Sequence, residues 1–537
     1  MASHNSDLDD HISSLTPLLE RPSSAEKKKS SFQAHVRLYW LAMVLCCGAV
    51  LFGYDSGLIG GVLTFDSFHH DFRYGPSDET SVSAISVGIQ QVGALVGCFA
   101  IWPVNNRHGR RVAIVVCSLV FCLGVVLEVV NLHSLGVFYL GRVICGLGVG
   151  GSSSVIPIYL SEMAPKEIRG RLGSCYQFMF TIGILISYWI DYAMKFIPSG
   201  PAQWQIPIAL QLVPGGLMGL GVLTLEESVR WLVSKGQHEQ ARRSLEWIRA
   251  SSDKTVVDEL AEIRAGIEDE RRARAGFSVH ELLEGPNAHR ILLAVGIFLA
   301  QQSTGATALA YFGPQFFSMV VGAGNQNQNH NQNQNLSLLL TGIFGVIKVL
   351  SCGAFILFIS DRFGRKTLLL AGAGFMAVCM VMTAAMVKTT TTTSSTDESH
   401  QIPQITTAAA TVAAAAAATP TPKSILTIAL IYLNIIAFNL SWGPLPWPYV
   451  SEIFPTRIRE PGVAFGVGAQ WLFNLLWSSG TPYLLAGLGG GGGGESGGKG
   501  WATFLLFGIL DIFILGFVSC CLKETNRKTL EEINAMF

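Results

Sequence analysis

Apolar residues run through this chain in long blocks rather than at alternate or every third or fourth position. The blocks lie near residues 38–63, 82–104, 111–131, 136–161, 173–194 and 205–225, then near 291–321, 338–360, 367–388, 424–451, 462–487 and 501–522. Each has the length, about 20 residues, that an α-helix needs to cross the hydrocarbon core of a bilayer. The pattern predicts an all-α membrane protein of twelve spans, six in residues 36–225 and six in residues 291–522. Between the halves, residues 226–290 alternate charge at helical spacing, as in Asp258-Glu259-Leu260-Ala261-Glu262-Ile263-Arg264. They are expected to form short amphipathic helices with solvated charges. Residues 1–35 are Ser-, Asp- and Lys-rich, expected to be disordered, and polar up to Lys29, so no cleavable signal peptide is expected; residues 523–537 form a short tail.

The cations set the orientation. The turns after spans 2, 4, 8 and 10 carry Arg107, Arg110 and Arg111, then Lys166, Arg169 and Arg171, then Arg362, Arg365 and Lys366, then Arg457 and Arg459. The middle segment is also rich in arginine, whereas the opposite connections hold scattered cations such as Arg73, Lys195 and Lys423. By the positive-inside rule the basic turns, the middle segment and both termini face the cytoplasm. A plasma-membrane location is expected.

Composition agrees with the pattern. Charged residues make up 14% of the chain against about a quarter in soluble domains, and 37 Lys+Arg balance 37 Asp+Glu, so no nucleic-acid partner is expected. The eleven cysteines all fall in apolar runs, without metal spacing or a disulfide framework. No cofactor, nucleophile–base pair or phosphate-binding loop is apparent, which argues against an enzyme. Three opposite-side tracts, Asn325–Asn335, the Thr/Ala stretch 389–418 and the Gly-rich 487–500, are expected to be tolerated loop insertions. Asn335-Leu336-Ser337 is a glycosylation sequon set very near the membrane.

An internal repeat organises the punctuation. Asn106-Arg107-His108-Gly109-Arg110-Arg111 after span 2 matches Asp361-Arg362-Phe363-Gly364-Arg365-Lys366 after span 8. Ser161-Glu162 with Arg169 after span 4 matches Ser451-Glu452 with Arg459 after span 10, and Glu227 with Arg230 after span 6 matches Glu524 with Arg527 after span 12. Three motifs in the same order mean two homologous halves. Arginine forks and carboxylates at these helix ends can pair across the halves as a cytoplasmic gate and part when the inside opens. The gate set is Arg107, Arg110, Glu162, Arg169, Glu227, Arg230, Asp361, Arg362, Arg365, Glu452, Arg459 and Glu524.

Span 10 ends in Phe438–Pro461, an apolar helix interrupted by Pro444, Pro446 and Pro448. Such a break is tolerated at membrane depth where the freed backbone faces protein or a water-lined cavity. It reads either as a structural kink or as part of a substrate path leading to the gate.

With Gly53-Tyr54-Asp55-Ser56-Gly57, Gly141-Arg142, Glu162-x-Ala164-Pro165-x-x-x-Arg169-Gly170, Gln301-Gln302, Trp447 and Glu524-Thr525, the chain resembles the sugar porter family of the major facilitator superfamily over nearly its whole length. Gly342–Lys348, Gly146–Gly151 and Gln211–Gly216 look most like its fungal quinate-permease branch. The resemblance implies the major facilitator fold and import of a monosaccharide or related polyol acid (hexose, pentose, galacturonate or quinate) by alternating access. It implies that Asp55 exchanges a proton while Arg142 tunes it; the other reading is a fixed bridge that holds two helices together. A facilitator without coupling, or a nutrient sensor on the same scaffold, are the alternatives. A sensor would carry a long signalling tail.

A sugar calls for amides and aromatics. The resemblance assigns hydroxyl contacts to Gln177, Gln301, Gln302, Gln470 and Asn474, ring stacking to Trp447, and an outer gate to Tyr311 with span 7. Each glutamine could instead serve an interhelical hydrogen bond. Thr307 replaces the family's asparagine, so that contact is changed or lost. Asn106, Lys523, Glu226 and Val229 also depart from the motifs, which bears on gating. Lys348 in span 8 either meets a substrate carboxylate or pairs within the protein. Glu128 and Asp511 are expected to be structural. One chain holds a complete two-half path, so a monomer in the bilayer suffices.

Overall fold

The computed structural model describes residues 24–75, 77–130, 132–165, 169–251, 253–274, 279–322, 330–359, 362–397, 422–455, 457–489, 500–525, 532 and 536. Among them the ordered elements are helices and there is no strand. Ten helices are long and apolar enough to cross a membrane. In the first half they are Ser24–Val62, Glu79–His108, Arg110–Val129, Leu135–Met163 and Arg169–Met194, with span 6 built from Ala202–Ala209 and Leu212–Leu223. In the second half they are His330–Ala354, Arg365–Asp397, Pro422–Asn439 and Trp501–Cys521. The two remaining spans are the continuous helix Arg459–Gly489 and span 7, which is divided into Gly285–Ser303, Ala306–Tyr311 and Gly313–Gly322.

Span 7 departs from the continuous run expected at 291–321. Gly305, at φ +79°, turns the chain between its first two pieces, a conformation that a side chain would strain. Helix also reaches into segments expected to be unstructured or looped. Span 1 begins at Ser24, span 8 takes up the end of the Asn/Gln tract from His330, and span 9 continues to Asp397. Asn335 of the sequon therefore sits within a helix. The rest of the three tracts, residues 1–23 and most of the last twelve residues lie outside the described residues.

The halves repeat each other's packing. Span 1 packs on 5, and 2 and 3 pack on 4, as 7 packs on 11 and 8 and 9 on 10. Spans 2 and 11, 5 and 8, and 1 and 7 join the halves. The helices between the halves, including His238–Arg249 and Lys254–Arg274, lie on the face that carries the basic turns.

The halves are tied at the opposite face. Gln334, at the start of span 8, accepts from Lys195 of span 5 and donates to the Thr64 carbonyl of span 1. Gln315 of span 7 donates to the Gly60 carbonyl at 3.2 Å, and a Cβ on Gly60 would strike the Tyr311 carbonyl. Gln334 belongs to the tract read as a passive insertion, yet it bridges both halves.

Candidate functional site

Span 1 approaches span 5 closely because Gly53 and Gly57 carry no side chain: a Cβ at either would strike the Phe180 carbonyl or the Ser187 hydroxyl. That approach sets Asp55 facing span 4. Arg142 and Asp55 are both buried, and Nη1 lies 2.8 Å from Asp55 Oδ1. The guanidinium also donates through Nε to the Ser86 carbonyl at 3.0 Å and through Nη2 to Gln90 Oε1. The same Nη1 is 3.9 Å from Glu128 Oε2. Glu128, expected to be a peripheral structural acid, thus stands against Arg142 and the Cys145 thiol, and among the described residues no N–H or O–H group donates to its carboxylate. Asp511, the other acid expected to be structural, is buried in span 12 with neither oxygen hydrogen-bonded among the described residues.

The expected substrate amides fall into two groups. Gln301 donates from Nε2 to the Trp442 carbonyl at 2.8 Å and the Gly443 carbonyl at 3.2 Å, the backbone groups freed where span 10 breaks before Pro446. Its amide nitrogen is therefore structural, while Oε1 is buried and unpartnered. Gln302 Oε1 accepts from Thr307 at 2.6 Å, so the threonine in the asparagine position orients a glutamine. Gln470 Oε1 and Asn474 Oδ1 are buried without hydrogen-bond partners among the described residues, one turn apart on span 11. Tyr311 is buried, and its hydroxyl accepts from Gln91 of span 2 at 3.0 Å and from Asn474 at 3.5 Å, joining the halves. Gln177 is half-buried on span 5. Trp447, also half-buried, packs edge-to-face on Phe298 with ring centroids 5.3 Å apart.

Lys348 is buried at 4% exposure and makes no ion pair or side-chain hydrogen bond among the described residues. Its Nζ lies 5.7 Å from the Phe180 ring, within cation–π range. Phe180 stacks obliquely on Phe52 at 4.7 Å, and Phe52 on Trp471 at 5.2 Å, so an aromatic file runs from the lysine to span 11. This file, with Gln90 and Gln91, was missed in the sequence, and Glu128 was noted there only as a structural acid. The adjacent Gln90-Gln91 pair resembles Gln301-Gln302 and could have signalled both glutamines. The aromatics carry no local signature among thirty phenylalanines.

At the basic face the repeat becomes one constellation built twice. Arg110 holds Glu162 with two bonds of 2.9 and 2.8 Å, and Arg365 reaches Glu452 at 3.1 Å. Glu227 accepts from the backbone N–H groups of Arg110 and Arg111 at 3.0 and 3.1 Å; Glu524 does so from Arg365 and Lys366 at 2.8 and 3.0 Å. Ser228 donates to Glu162 at 2.5 Å and Thr525 to Glu452 at 2.8 Å. Burial pushes the Glu227 carboxyl up, against these backbone donors and the Arg110 charge.

Pairing across the halves is expected for the state closed at the basic face; in this conformation, tied at the opposite face, the Arg110–Glu162 and Arg365–Glu452 pairs each close within one half. The reason is geometric: the halves are tied at the opposite face, and each arginine opens a helix beside the carboxylate of its own half. Arg230 is taken by Glu270 of the middle segment at 2.6 Å, and Arg459 donates to the Phe454 carbonyl at 3.2 Å. Arg107 and Arg362 are exposed. Asp361 and the Arg169 side chain lie outside the described residues.

Two homologous six-helix halves, an ion pair buried between spans and unpartnered amides from several helices define a multi-pass membrane transporter of the major facilitator fold, not an enzyme. The family described as "Sugar (and other) transporter" matches residues 41–537, and the chain belongs to it. It is 32% identical over 513 residues to a probable quinate permease of Neosartorya fischeri, covering 93% of this chain and 87% of the relative. It is 31% identical over 511 residues to the quinate permease of Emericella nidulans, covering 93% and 88%. Among solved structures, the proton:xylose symporter XylE bound to 6-bromo-6-deoxy-D-glucose superposes with a TM-score of 0.70 at 25% identity, over 94% of this chain and 99% of that one. The partially occluded inward-open XylE of E. coli gives 0.71 at 24% identity, over 92% and 100%.

Proposed function

We propose that the chain imports a polyhydroxylated acid of the quinate or sugar-acid class by alternating access and proton symport, with its basic face and termini cytoplasmic in the plasma membrane. The observation that carries the coupling is the Asp55–Arg142 pair, buried at membrane depth on two different helices. Ionisable groups there are costly and are retained where charge or protons move. A proton on Asp55 removes its charge and loosens its hold on Arg142, so the two spans meet differently in the loaded and empty states. The relatives named above for quinate support a carboxylated substrate, as does Lys348, a buried cation with no counter-ion among the described residues. Gln177, Gln301, Gln302, Gln470 and Asn474 then take hydroxyls, Trp447 and the Phe52–Trp471 file take the ring, and Tyr311 closes the outer side. The paired networks at Glu162 and Glu452 exchange partners as the cytoplasmic gate.

Uptake into proteoliposomes of glucose, xylose, galacturonate and quinate, with and without an inward proton gradient, tests the reading. Quinate or galacturonate is expected to accumulate only with the gradient. Asp55→Asn is expected to abolish accumulation while preserving counterflow exchange. Gradient-driven accumulation unchanged in that variant would exclude proton exchange at Asp55, and equilibration without accumulation in the native protein would make it a facilitator.

Lys348→Met removes a charged contact worth about 2 kcal/mol, so acid uptake is expected to fall about thirtyfold with glucose uptake unchanged. An equal effect on acid and neutral solutes, or none on either, would remove Lys348 from the substrate site.

A further inference from the structure

Arg142 faces two acids, and the coupling proposed above uses only one. Glu128 is 1% exposed, its Oε2 is 3.9 Å from the Nη1 that Asp55 holds at 2.8 Å, and apart from the Cys145 thiol no donor among the described residues reaches its carboxylate. The titratable groups facing it are Arg142 and Cys145 on span 4 and Asp55 on span 1, while span 6, which packs against span 3, carries none. Gln90 and the Ser86 carbonyl complete the shell of Arg142 and do not titrate. The cluster thus holds two carboxyls and a single cation. Burying both acids ionised would leave a net negative charge far from water, so charge balance places one proton on the pair.

Depth distinguishes the two acids. Span 3 ends at Val129, so Glu128 stands one residue from its opposite-face end. Asp55 lies about two turns inside span 1, which ends at Val62, and Arg142 about two turns inside span 4, which starts at Leu135. Of the two carboxyls, Glu128 is the nearer to its helix end at the opposite face.

We infer that Glu128 is the entry carboxyl of a two-acid proton relay, handing protons from the opposite face to Asp55 across Arg142. In the hand-over the O–H bond of Glu128 breaks and one forms on Asp55, directly or through one water, while Arg142 Nη1 passes from Asp55 to the new Glu128 carboxylate. Glu128 is reprotonated when the opposite face opens, and Asp55 loses its proton when the basic face opens. One proton enters and one leaves per cycle, and the guanidinium always has a carboxylate. Glu128 acts through Arg142 and is a positioning residue as well as a proton carrier.

The inference rests on the symport reading and is tested separately from it. Infrared spectra of the purified full-length protein in detergent should contain the carbonyl stretch of a protonated carboxyl that is lost in Glu128→Gln and shifted in Glu128→Asp; in Asp55→Asn it should also be lost, because Glu128 is then the one carboxylate that balances Arg142. This readout needs no substrate. A spectrum unchanged by Glu128→Gln overturns the inference.

In proteoliposomes with the same four solutes, Glu128→Gln is expected to lower gradient-driven accumulation about tenfold, the factor carried by one unit of proton affinity. The pH optimum of counterflow should move to more acid pH because Arg142 then has only Asp55 to hold. Accumulation and pH profile like the native protein's would overturn the relay while leaving symport standing. Failure of the native protein to accumulate any solute would overturn symport, and the relay with it, while the infrared band still reports whether Glu128 holds a proton. Glu128→Asp, which keeps the carboxyl, should restore the band in its shifted form and part of the accumulation; if Glu128→Gln does not fold, Glu128→Asp with that shifted band and a shifted pH profile supports the relay, and a variant lacking the band overturns it.

Discussion

Arg142→Met is expected to insert and fold but to lose both accumulation and exchange, by at least about a hundredfold, because removing one member of a buried charged network costs about 3–5 kcal/mol. The magnitude follows from how many groups share this guanidinium. It closes bonds to Asp55, the Ser86 carbonyl and Gln90, which lie on spans 1 and 2, and it stands against Glu128 on span 3. Without it Asp55 and Glu128 can each take a proton and remain neutral in the membrane, so insertion survives. What disappears is the cation whose alternate pairing would tie the spans to proton movement. Arg142→Lys should be nearly as damaging, since an ammonium lacks the planar fork that spans these partners. Counterflow and gradient-driven uptake, normalised to the protein reconstituted, provide the measurement. Full activity in Arg142→Lys would mean that charge alone matters and the fork does not.

What was legible in the sequence is what one residue or one spacing can encode. A charge inside an apolar run is visible at once, and so Asp55, Arg142 and Lys348 stood out. The doubled motifs after spans 2 and 8, 4 and 10, and 6 and 12 exposed the two-half architecture, and Arg110, Glu162, Glu227, Arg230, Arg365, Glu452, Arg459 and Glu524 each have a defined partner. Partner choice was not legible. Which carboxylate an arginine meets depends on where its helix ends in space and on which way the halves lean, so Arg110 closes on Glu162 of its own half instead of reaching across. Glu128 was visible as a charge, but only the fold brings it to Arg142. Gln301 illustrates a second limit: an amide in a span serves a substrate and a broken helix equally well, and here the nitrogen end holds the broken helix while the oxygen end is buried with no hydrogen-bond partner among the described residues. The break in span 7 at Gly305 follows the polar residues Gln301-Gln302-Ser303-Thr304, a pattern that a substrate site and an interrupted helix explain equally well.

The largest structural effect is expected where spans 2 and 4 touch without side chains between them. A Cβ on Gly146 would strike the Gln90 carbonyl and lie 3.0 Å from the Ala94 nitrogen, and one on Gly150 would strike the Ala94 carbonyl. In return, Cβ atoms on Gly93 and Gly97 would strike the Val143 and Leu147 carbonyls. The two backbones are in contact over two turns, the close approach that small residues allow between membrane helices. Overpacking an ordinary core costs about 1–3 kcal/mol, but here the obstructing atoms are helix carbonyls that cannot rotate aside, so Gly146→Leu should exceed that range. Span 4 must then move away from span 2, and Arg142, one turn from Gly146, loses the Ser86 and Gln90 contacts that hold it. The expected result is little folded protein, or a Tm far below the native one in detergent, with any survivor unable to accumulate solute. Gly516→Ala on span 12 supplies the contrast. Its Cβ meets nothing within 4 Å, and replacing a helix glycine by alanine there should be neutral or stabilise by up to about 1 kcal/mol. A Gly146→Leu protein with native thermal stability would show that spans 2 and 4 can separate without cost. Arg142 would then have to be held from spans 1 and 3 alone.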